Sequence, residues 1–423
     1  MYQATPTIGH VSRLTAANDV AIEAHDGADS VAALNTPICP AFAGIFAFRT
    51  DAHMRQVFCI EDLKAGAKRR LPRMVFDYLE GGAEDERSIR ENVEAFSRIR
   101  FAPKRLVDVS RRSIARSILG RAAKAPFVVG PTGLNGIFWP DGDLELARAA
   151  RAAGVPFALS TAANASIEQV AKIGGDLWFQ LYVVHRGLAD RLVERAERAD
   201  FSTLILTVDV AVNGKRERDL RNGFAFPFRY SPRTVWDGVT HPAWSFNLLR
   251  HGMPKMANLA ADGATSLEAQ AALLKREMDA SFDWDALARL RDKWPRRLLV
   301  KGILDPGDVA RCFSIGVDGV VISNHGGRQV DSLRAPIEVL PELRGLGPMF
   351  MDGGVRRGAD IVKAVAARAQ AALLGRSVLY GLAANGQAGA ALAIQILIDE
   401  IDRTLALIGC PSINDLTSEH ISV

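Results

Sequence analysis

Between residues 126 and 375, eight short apolar runs alternate with segments of helical period, and this alternation restricts the fold more than any other feature of the sequence. The runs are PFVVGPTG (126–133), PFALST (156–161), LWFQLYV (177–183), TLILTVD (203–209), LLVKG (298–302), GVVISNHG (319–326), MFMDGG (349–354) and AALLG (371–375). Most are continuous rather than alternating, the pattern of parallel strands covered on both faces. Stretches between them, such as GDLELARAARAAG and RLVERAERAD, carry apolar residues at helical spacing, as helices with one buried face do. Eight such units predict a closed (β/α)8 barrel, the TIM-barrel class of α/β fold. The rival is an open doubly wound sheet, which usually carries GxGxxG after its first strand. The sequence has no such match.

One interval breaks the rhythm: residues 210–297 separate strands four and five, far more than one helix requires. Residues 56–124 form a lead-in with at least one helix around EDLKAGAKRRLPRMVFDYLEGGAEDE, and the apolar tail after residue 376 supplies the final helices. Residues 56–423 are therefore expected to form the barrel domain. Residues 1–55, rich in Ala, Thr, Asp and Gly and without a clear period, are expected to be a poorly ordered extension, with Met54 as an alternative start. The stretch 31–48 is fairly apolar, but Pro37, Pro40 and Gly44 interrupt it and no basic segment precedes it, so it reads neither as a signal peptide nor as a spanning helix. A net charge of +4 over 423 residues argues against a dedicated nucleic-acid binder. The four cysteines are scattered, with no CxxC pair, which offers neither a disulfide framework nor a zinc site.

In barrels of this class chemistry sits at the C-terminal ends of the strands. Those ends carry Pro131, Thr132 and Gly133; Ser160 and Thr161; Gln180 and Tyr182; Thr207 and Asp209, followed by Lys215 and Arg216; Lys301; Ser323, His325 and Arg328; Asp352, Gly353, Gly354 and Arg356; and Gly375 and Arg376. Two chemistries separate. After strands seven and eight, DGGVRRG and LGRSVLYG fit a phosphate site, where glycines open the backbone N–H groups to an anion and Arg356 or Arg376 supplies charge. After strands four and six, His325 is a candidate general base and Asp209 its partner if the closed barrel brings them together. Arg216 and Arg328 are suited to fork onto a carboxylate. A carboxylate held beside a base suggests attack on the adjacent carbon. Lys301 reads either as a Schiff-base lysine or as a cation stabilising negative charge on a cofactor ring, and the phosphate site favours the second. There is no HExxH and no clustering of the other histidines at strand ends, so no metal site is expected.

These residues resemble the FMN-dependent α-hydroxy-acid dehydrogenases and oxidases, from about Val57 to the C-terminus, through SNHGGRQVD and DGGVRRGADIVKA. Within that family, PTGLNG, DLWFQLYV, DVAVNGKRERDL, HGMPKMAN and MDASFDWDAL are most similar to the bacterial (S)-mandelate dehydrogenase branch. The resemblance implies FMN held by Pro131, Thr132, Gly133, Ser160, Gln180, Thr207, Lys301, Ser323, Asp352, Gly353, Gly354, Arg356, Gly375 and Arg376. It implies His325 as base with Asp209 as partner, Arg216 and Arg328 on the substrate carboxylate, and Tyr78 and Tyr182 on the carboxylate and hydroxyl. Lys301 would lie by the flavin N1/O2 edge, and Ser323 would face the flavin. Glycine at 133, where oxygen-using members often carry alanine, leaves room near the flavin or merely serves the turn.

The implied reaction is oxidation of an (S)-2-hydroxy acid, above all (S)-mandelate, to the 2-oxo acid. The alternatives are an oxygen-using lactate or glycolate oxidase, or a phosphate-binding isomerase or lyase without redox function. Residues 223–258 hold seven aromatics, and four basic residues against the single acid Asp237. Such a patch reads as an interfacial membrane anchor or as a lid over the site. The resemblance favours the anchor. It implies a peripheral protein on the cytoplasmic face of an inner membrane, reoxidised by a membrane quinone, and it fits a homotetramer.

Overall fold

In a computed structural model, residues 56–224, 231–259 and 278–422 are described. The expected extension 1–55, and Phe226, Phe228 and Tyr230 of the candidate anchor, lie outside the described residues.

All eight apolar runs are strands: β1 Phe127–Val129, β2 Phe157–Ser160, β3 Leu177–Leu181, β4 Thr203–Thr207, β5 Arg297–Ile303, β6 Gly319–Ile322, β7 Met349–Met351 and β8 Ala369–Leu374. They form one closed barrel in sequence order, parallel throughout, with β8 paired to β1 through Leu373 and Val128. The continuous hydrophobicity follows from burial on both faces. Val128, Ala158, Trp178, Ile205, Leu299, Val321, Phe350 and Leu373 pack together inside the barrel, while their neighbours Phe127, Phe157, Phe179, Leu204, Leu298 and Val320 join the larger core shared with the helices. Trp178 meets Phe350 edge to face at 5.9 Å and fills the barrel centre. Ile118 and Ala123, from a hairpin of Arg116–Ile118 and Arg121–Ala123, pack into this inner cluster and plug the barrel.

The lead-in, expected to hold at least one helix, holds three: α1 Ile60–Arg70, α2 Arg73–Glu80 and α3 Arg87–Arg98. Pro72 stands at the N-cap of α2. Its fixed φ and missing N–H suit a helix start and interrupt the run of helical sequence. The barrel helices are α4 Gly142–Ala153, α5 Ile167–Ala171, α6 Arg186–Arg198, then, beyond the insertion, α10 Trp284–Lys293, α11 Pro306–Ser314, α12 Pro336–Val339 and α13 Gly358–Ala366. The insertion contributes α7 Glu217–Arg221, α8 Pro232–Val239 and α9 Pro242–His251. The tail is one merged helix, α14 Arg376–Ile408, kinked at Asn385 and Gly386. By length and composition α14 could cross a membrane, but 56% of its most apolar window is buried inside the fold, as the core helix of a barrel would be.

Candidate active site

Strand periodicity builds the site. Two residues beyond each apolar side chain of the inner barrel layer, on the same face, stand Gly130, Ser160, Gln180, Thr207, Lys301, Ser323, Asp352 and Gly375. The polar members bond to one another. Ser160 Oγ donates to Gln180 Oε1 at 2.8 Å and Gln180 Nε2 to Thr207 Oγ1 at 3.0 Å. Lys301 Nζ donates to Ser323 Oγ at 2.8 Å and pairs with Asp352 Oδ2 at 2.8 Å. Burial alone would strip the charge from Lys301, but Asp352 and then Asp209 outweigh it and raise its pKa, so the ammonium is retained.

Above this layer lies a cavity of about 500 Å³. Its wall includes every expected site residue except Asp209 and Ser323. Ser323 lies underneath, accepting from both Lys301 Nζ and the His325 backbone N–H. It supports the wall rather than forming it. Asp209 stands behind His325, with Nδ1 and Oδ1 2.9 Å apart. Strands β4 and β6 are not neighbours, and the contact is made across β5, where Gly302 has φ +105° and a Cβ would come 2.6 Å from the Asp209 carboxyl carbon. Glycine is therefore required there both for conformation and for space. Burial pushes the Asp209 carboxyl up, yet the His325 and Lys301 charges and the hydrogen bond leave it below the usual carboxylate range. With Nδ1 assigned as donor to this carboxylate, Nε2 carries the lone pair, on the cavity side and 3.4 Å from Tyr182 Oη.

Four arginines reach the cavity. Arg328 Nη1 donates to the carbonyls of Tyr78 and Gly81, at 2.9 and 2.7 Å, and its guanidinium lies 5.1 Å from the Tyr78 ring centre. Arg376 donates to Leu79, Gly326 and Gly81 at 3.0–3.2 Å. Both arginines thus satisfy carbonyls at the C-terminal end of α2, where helical partners run out and the dipole favours cations. Burial, helped by the charges of Arg328 and Arg356, pushes the Arg376 pKa down to about 10. Arg376 is in this way a strut joining α2 to the His325 turn. Arg216 Nε donates to the Arg328 carbonyl at 3.4 Å, and its Nη2 is buried without a partner. Arg356 Nη1 donates to the Val355 carbonyl.

Gly133 has a packing reason: a Cβ there would come 2.8 Å from Ala162 Cβ, so glycine lets the loops after β1 and β2 touch. Gly354 is equally constrained by α3, since a Cβ would collide with the Asn92 carbonyl. Sequence reasoning missed Phe138, Asp219, Leu220, Met256 and Met278, which also line the cavity. Apart from Phe138, these belong to the insertion, within the motifs DVAVNGKRERDL, HGMPKMAN and MDASFDWDAL that carry the family resemblance, yet nothing in those motifs shows that they reach the cavity. Phe224 was singled out only as part of the anchor, yet it stacks on Tyr78 with ring centres 4.3 Å apart. Among the described residues no group of His, Cys, Asp or Glu could hold a metal.

The profile of the FMN-dependent dehydrogenase family matches residues 67–423. The chain belongs to that family. It is 54% identical to (S)-mandelate dehydrogenase of Pseudomonas putida over 370 residues, 87% of this chain and 94% of that one. A putative L-lactate dehydrogenase of Mycobacterium tuberculosis is 42% identical, with 86% and 88% covered. The crystal structure of the monotopic membrane protein (S)-mandelate dehydrogenase superimposes with a TM-score of 0.85 at 54% identity, over 87% of this chain and 99% of that one. A mandelate oxidase mutant bound to (S)-mandelic acid gives 0.74 at 33% identity, over 87% and 98%. The enzyme is thus an FMN-dependent 2-hydroxy-acid dehydrogenase, similar to (S)-mandelate dehydrogenase. The residues fit the cofactor: Asp352 Oδ1 is buried without a partner beside the Lys301 ammonium, leaving hydrogen-bonding capacity free next to a retained positive charge.

Proposed function

We propose that this enzyme oxidises (S)-mandelate to benzoylformate and passes the electrons to a membrane quinone. When bound, FMN supplies the two-electron acceptor. Lys301 would hold positive charge at the ring, Ser160, Gln180 and Thr207 would offer it hydrogen bonds, and Arg356 and Arg376 with the Gly353 and Gly375 turns would hold the phosphate. Pro131, Thr132 and Gly133 would form a further wall for it. Arg216 and Arg328 hold the substrate carboxylate, and Tyr182 orients the hydroxyl. Tyr78, whose ring contacts both Phe224 and Arg328, closes the carboxylate end. His325 Nε2 takes the proton, and Asp209 fixes the tautomer and steadies the imidazolium that results. Phe138, Phe224, Met256 and Met278 offer apolar and polarisable surface for an aryl group.

The observation that carries this reading is the Asp209–His325 pair aimed at a cavity that also holds the unpartnered Arg216 Nη2. Anaerobic bleaching of the flavin by a panel of 2-hydroxy acids, in both enantiomers, tests it. (S)-Mandelate should bleach fastest and (R)-mandelate not at all. Faster bleaching by lactate or glycolate, with hydrogen peroxide formed in air, would replace it by an oxidase of small acids.

The α8–α9 hairpin supports peripheral membrane attachment, which we place at the cytoplasmic face of the inner membrane. Val235, Trp236, Val239, Phe246 and Leu249 are 52–85% exposed, with Arg233 and Arg250 nearby in sequence. Phe224 and Trp244 do not contribute, because both face the barrel: Trp244 is buried and its Nε1 donates to the Ile137 carbonyl at 2.7 Å. A homotetramer fits this reading, and the molar mass in detergent tests it.

A further inference from the structure

Asp219 has no role in the chemistry derived so far. It sits on α7, lines the cavity and is only 9% exposed, and its Oδ1 is buried without a partner. The charged groups that face it come from four segments. Arg218, on its own helix, reaches 3.6 Å from Asp77 of α2 and also bonds Glu86 in the turn before α3. Asp77 further accepts from Asn222 Nδ2 at 2.7 Å. Arg218 is therefore already balanced by two carboxylates, and Arg328 pulls on Asp219 more strongly than Arg218 does. Burial lifts the Asp219 carboxyl to about 6, with Asp77 and Glu86 adding to the rise and Arg328 and Arg218 opposing it. Asp219 and Arg328 line the same cavity, so the buried carboxylate competes for the guanidinium that is to receive the substrate.

We propose that Asp219 is a positioning residue that serves as counter-ion to Arg328 in the free site and takes up one proton from solvent when a ligand carboxylate arrives there. The incoming anion removes the attraction that keeps Asp219 ionised and adds repulsion, and protonation relieves both. The substrate carboxylate then meets two arginines and a neutral acid instead of an opposing charge. Anion affinity consequently falls as pH rises through the range in which free Asp219 ionises, independently of the proton transfer at His325. The proposal rests on the reading that Arg216 and Arg328 hold the substrate carboxylate.

The test uses FMN-loaded wild type and Asp219→Asn with phenylacetate, a carboxylate that has no hydroxyl to oxidise, followed by flavin absorbance and by calorimetry in buffers of different ionisation enthalpy. A one-unit rise in the Asp219 pKa on binding gives uptake at pH 6.5 of about half a proton more in wild type than in the variant. It also gives about tenfold tighter binding by the variant at pH 8 and equal binding at pH 5. The KM for the hydroxy acid follows the same pattern, while the pH profile of kcat keeps its shape. Equal proton uptake in the two proteins, or weaker binding by Asp219→Asn at both pH values, overturns the proposal. Arg328→Lys separates the two readings. If it leaves phenylacetate affinity unchanged, the carboxylate assignment has failed and this proposal with it; if it weakens binding while Asp219→Asn matches wild type throughout, this proposal alone has failed. Should Asp219→Asn not retain flavin, infrared difference spectra of the wild type decide. Appearance of a protonated carboxyl band on binding at pH 6.5 supports the proposal, and its absence overturns it.

Discussion

The barrel mouth and the α8–α9 hairpin invert the ordinary distribution of side chains in opposite ways. At the mouth, Ser160, Gln180, Thr207, Lys301 and Ser323 are buried polar groups that hold one another in place. On the hairpin, Trp236 and Leu249 are large apolar groups left 69% and 85% exposed. A buried polar cluster costs free energy unless its hydrogen bonds are made, so it survives only where a rigid scaffold supplies partners. An exposed apolar patch needs no such precision; it needs a surface to enter. The mouth is accordingly built from eight strand ends locked in register, whereas the hairpin is fastened through Trp244 and through Asp237, which accepts from the Met74 N–H at 3.4 Å.

The comparison is broken most severely at His325. Replacing it by Asn should lower kcat by about 10²–10⁴-fold while flavin stays bound; retained turnover would show that the mouth's order serves something other than proton transfer. Asp209→Asn comes next. It should cost about 10²-fold or more in kcat through loss of the favoured tautomer, with little change in substrate affinity. Arg328→Lys keeps the charge but loses the fork, and should raise KM by about tenfold to a hundredfold with a smaller change in kcat. At the hairpin, a Trp236→Ser/Leu249→Ser double variant should move the protein from the membrane fraction to the soluble one, with kcat on an artificial acceptor within about twofold of wild type. A large loss of kcat there would merge the two regions into one device.

The smallest effect concerns pH. Asp219 ionises less readily folded than unfolded, so its contribution to stability is most favourable at acid pH and declines as pH rises from the usual carboxylate range through about 6. Asp219→Asn should thus melt about 1–3 °C above wild type at pH 8 and level with it near pH 4. Asp209 runs the other way: its lowered pKa stabilises the fold at neutral pH, and that contribution is lost as pH falls below the usual carboxylate range.

Much of the site was legible because strand geometry is periodic. Once the eight runs were read as strands, Lys301, Ser323 and Asp352 followed as mouth residues from position alone. What the sequence concealed depends on contacts between distant segments. Arg376 was expected at the phosphate, and only the approach of α2 reveals that it also donates to the Leu79 and Gly81 carbonyls. Phe224 and Trp244 looked like anchor residues, yet one stacks on Tyr78 and the other bonds the Ile137 carbonyl. Ser323, expected at the flavin, also accepts from the Lys301 ammonium, a contact that no local pattern shows.

The sequence by itself determined the barrel and which residues stand at its mouth, because burial on both faces writes itself as continuous apolar runs and the two-residue period sets which side chains point inward. Tertiary structure alone decided the route of the His325–Asp209 contact across Gly302, the bonds that tie Arg328 and Arg376 to α2, and the charge that faces Asp219. These are distances between segments remote along the chain, fixed only when the barrel closes and the lead-in and insertion fold back onto its rim.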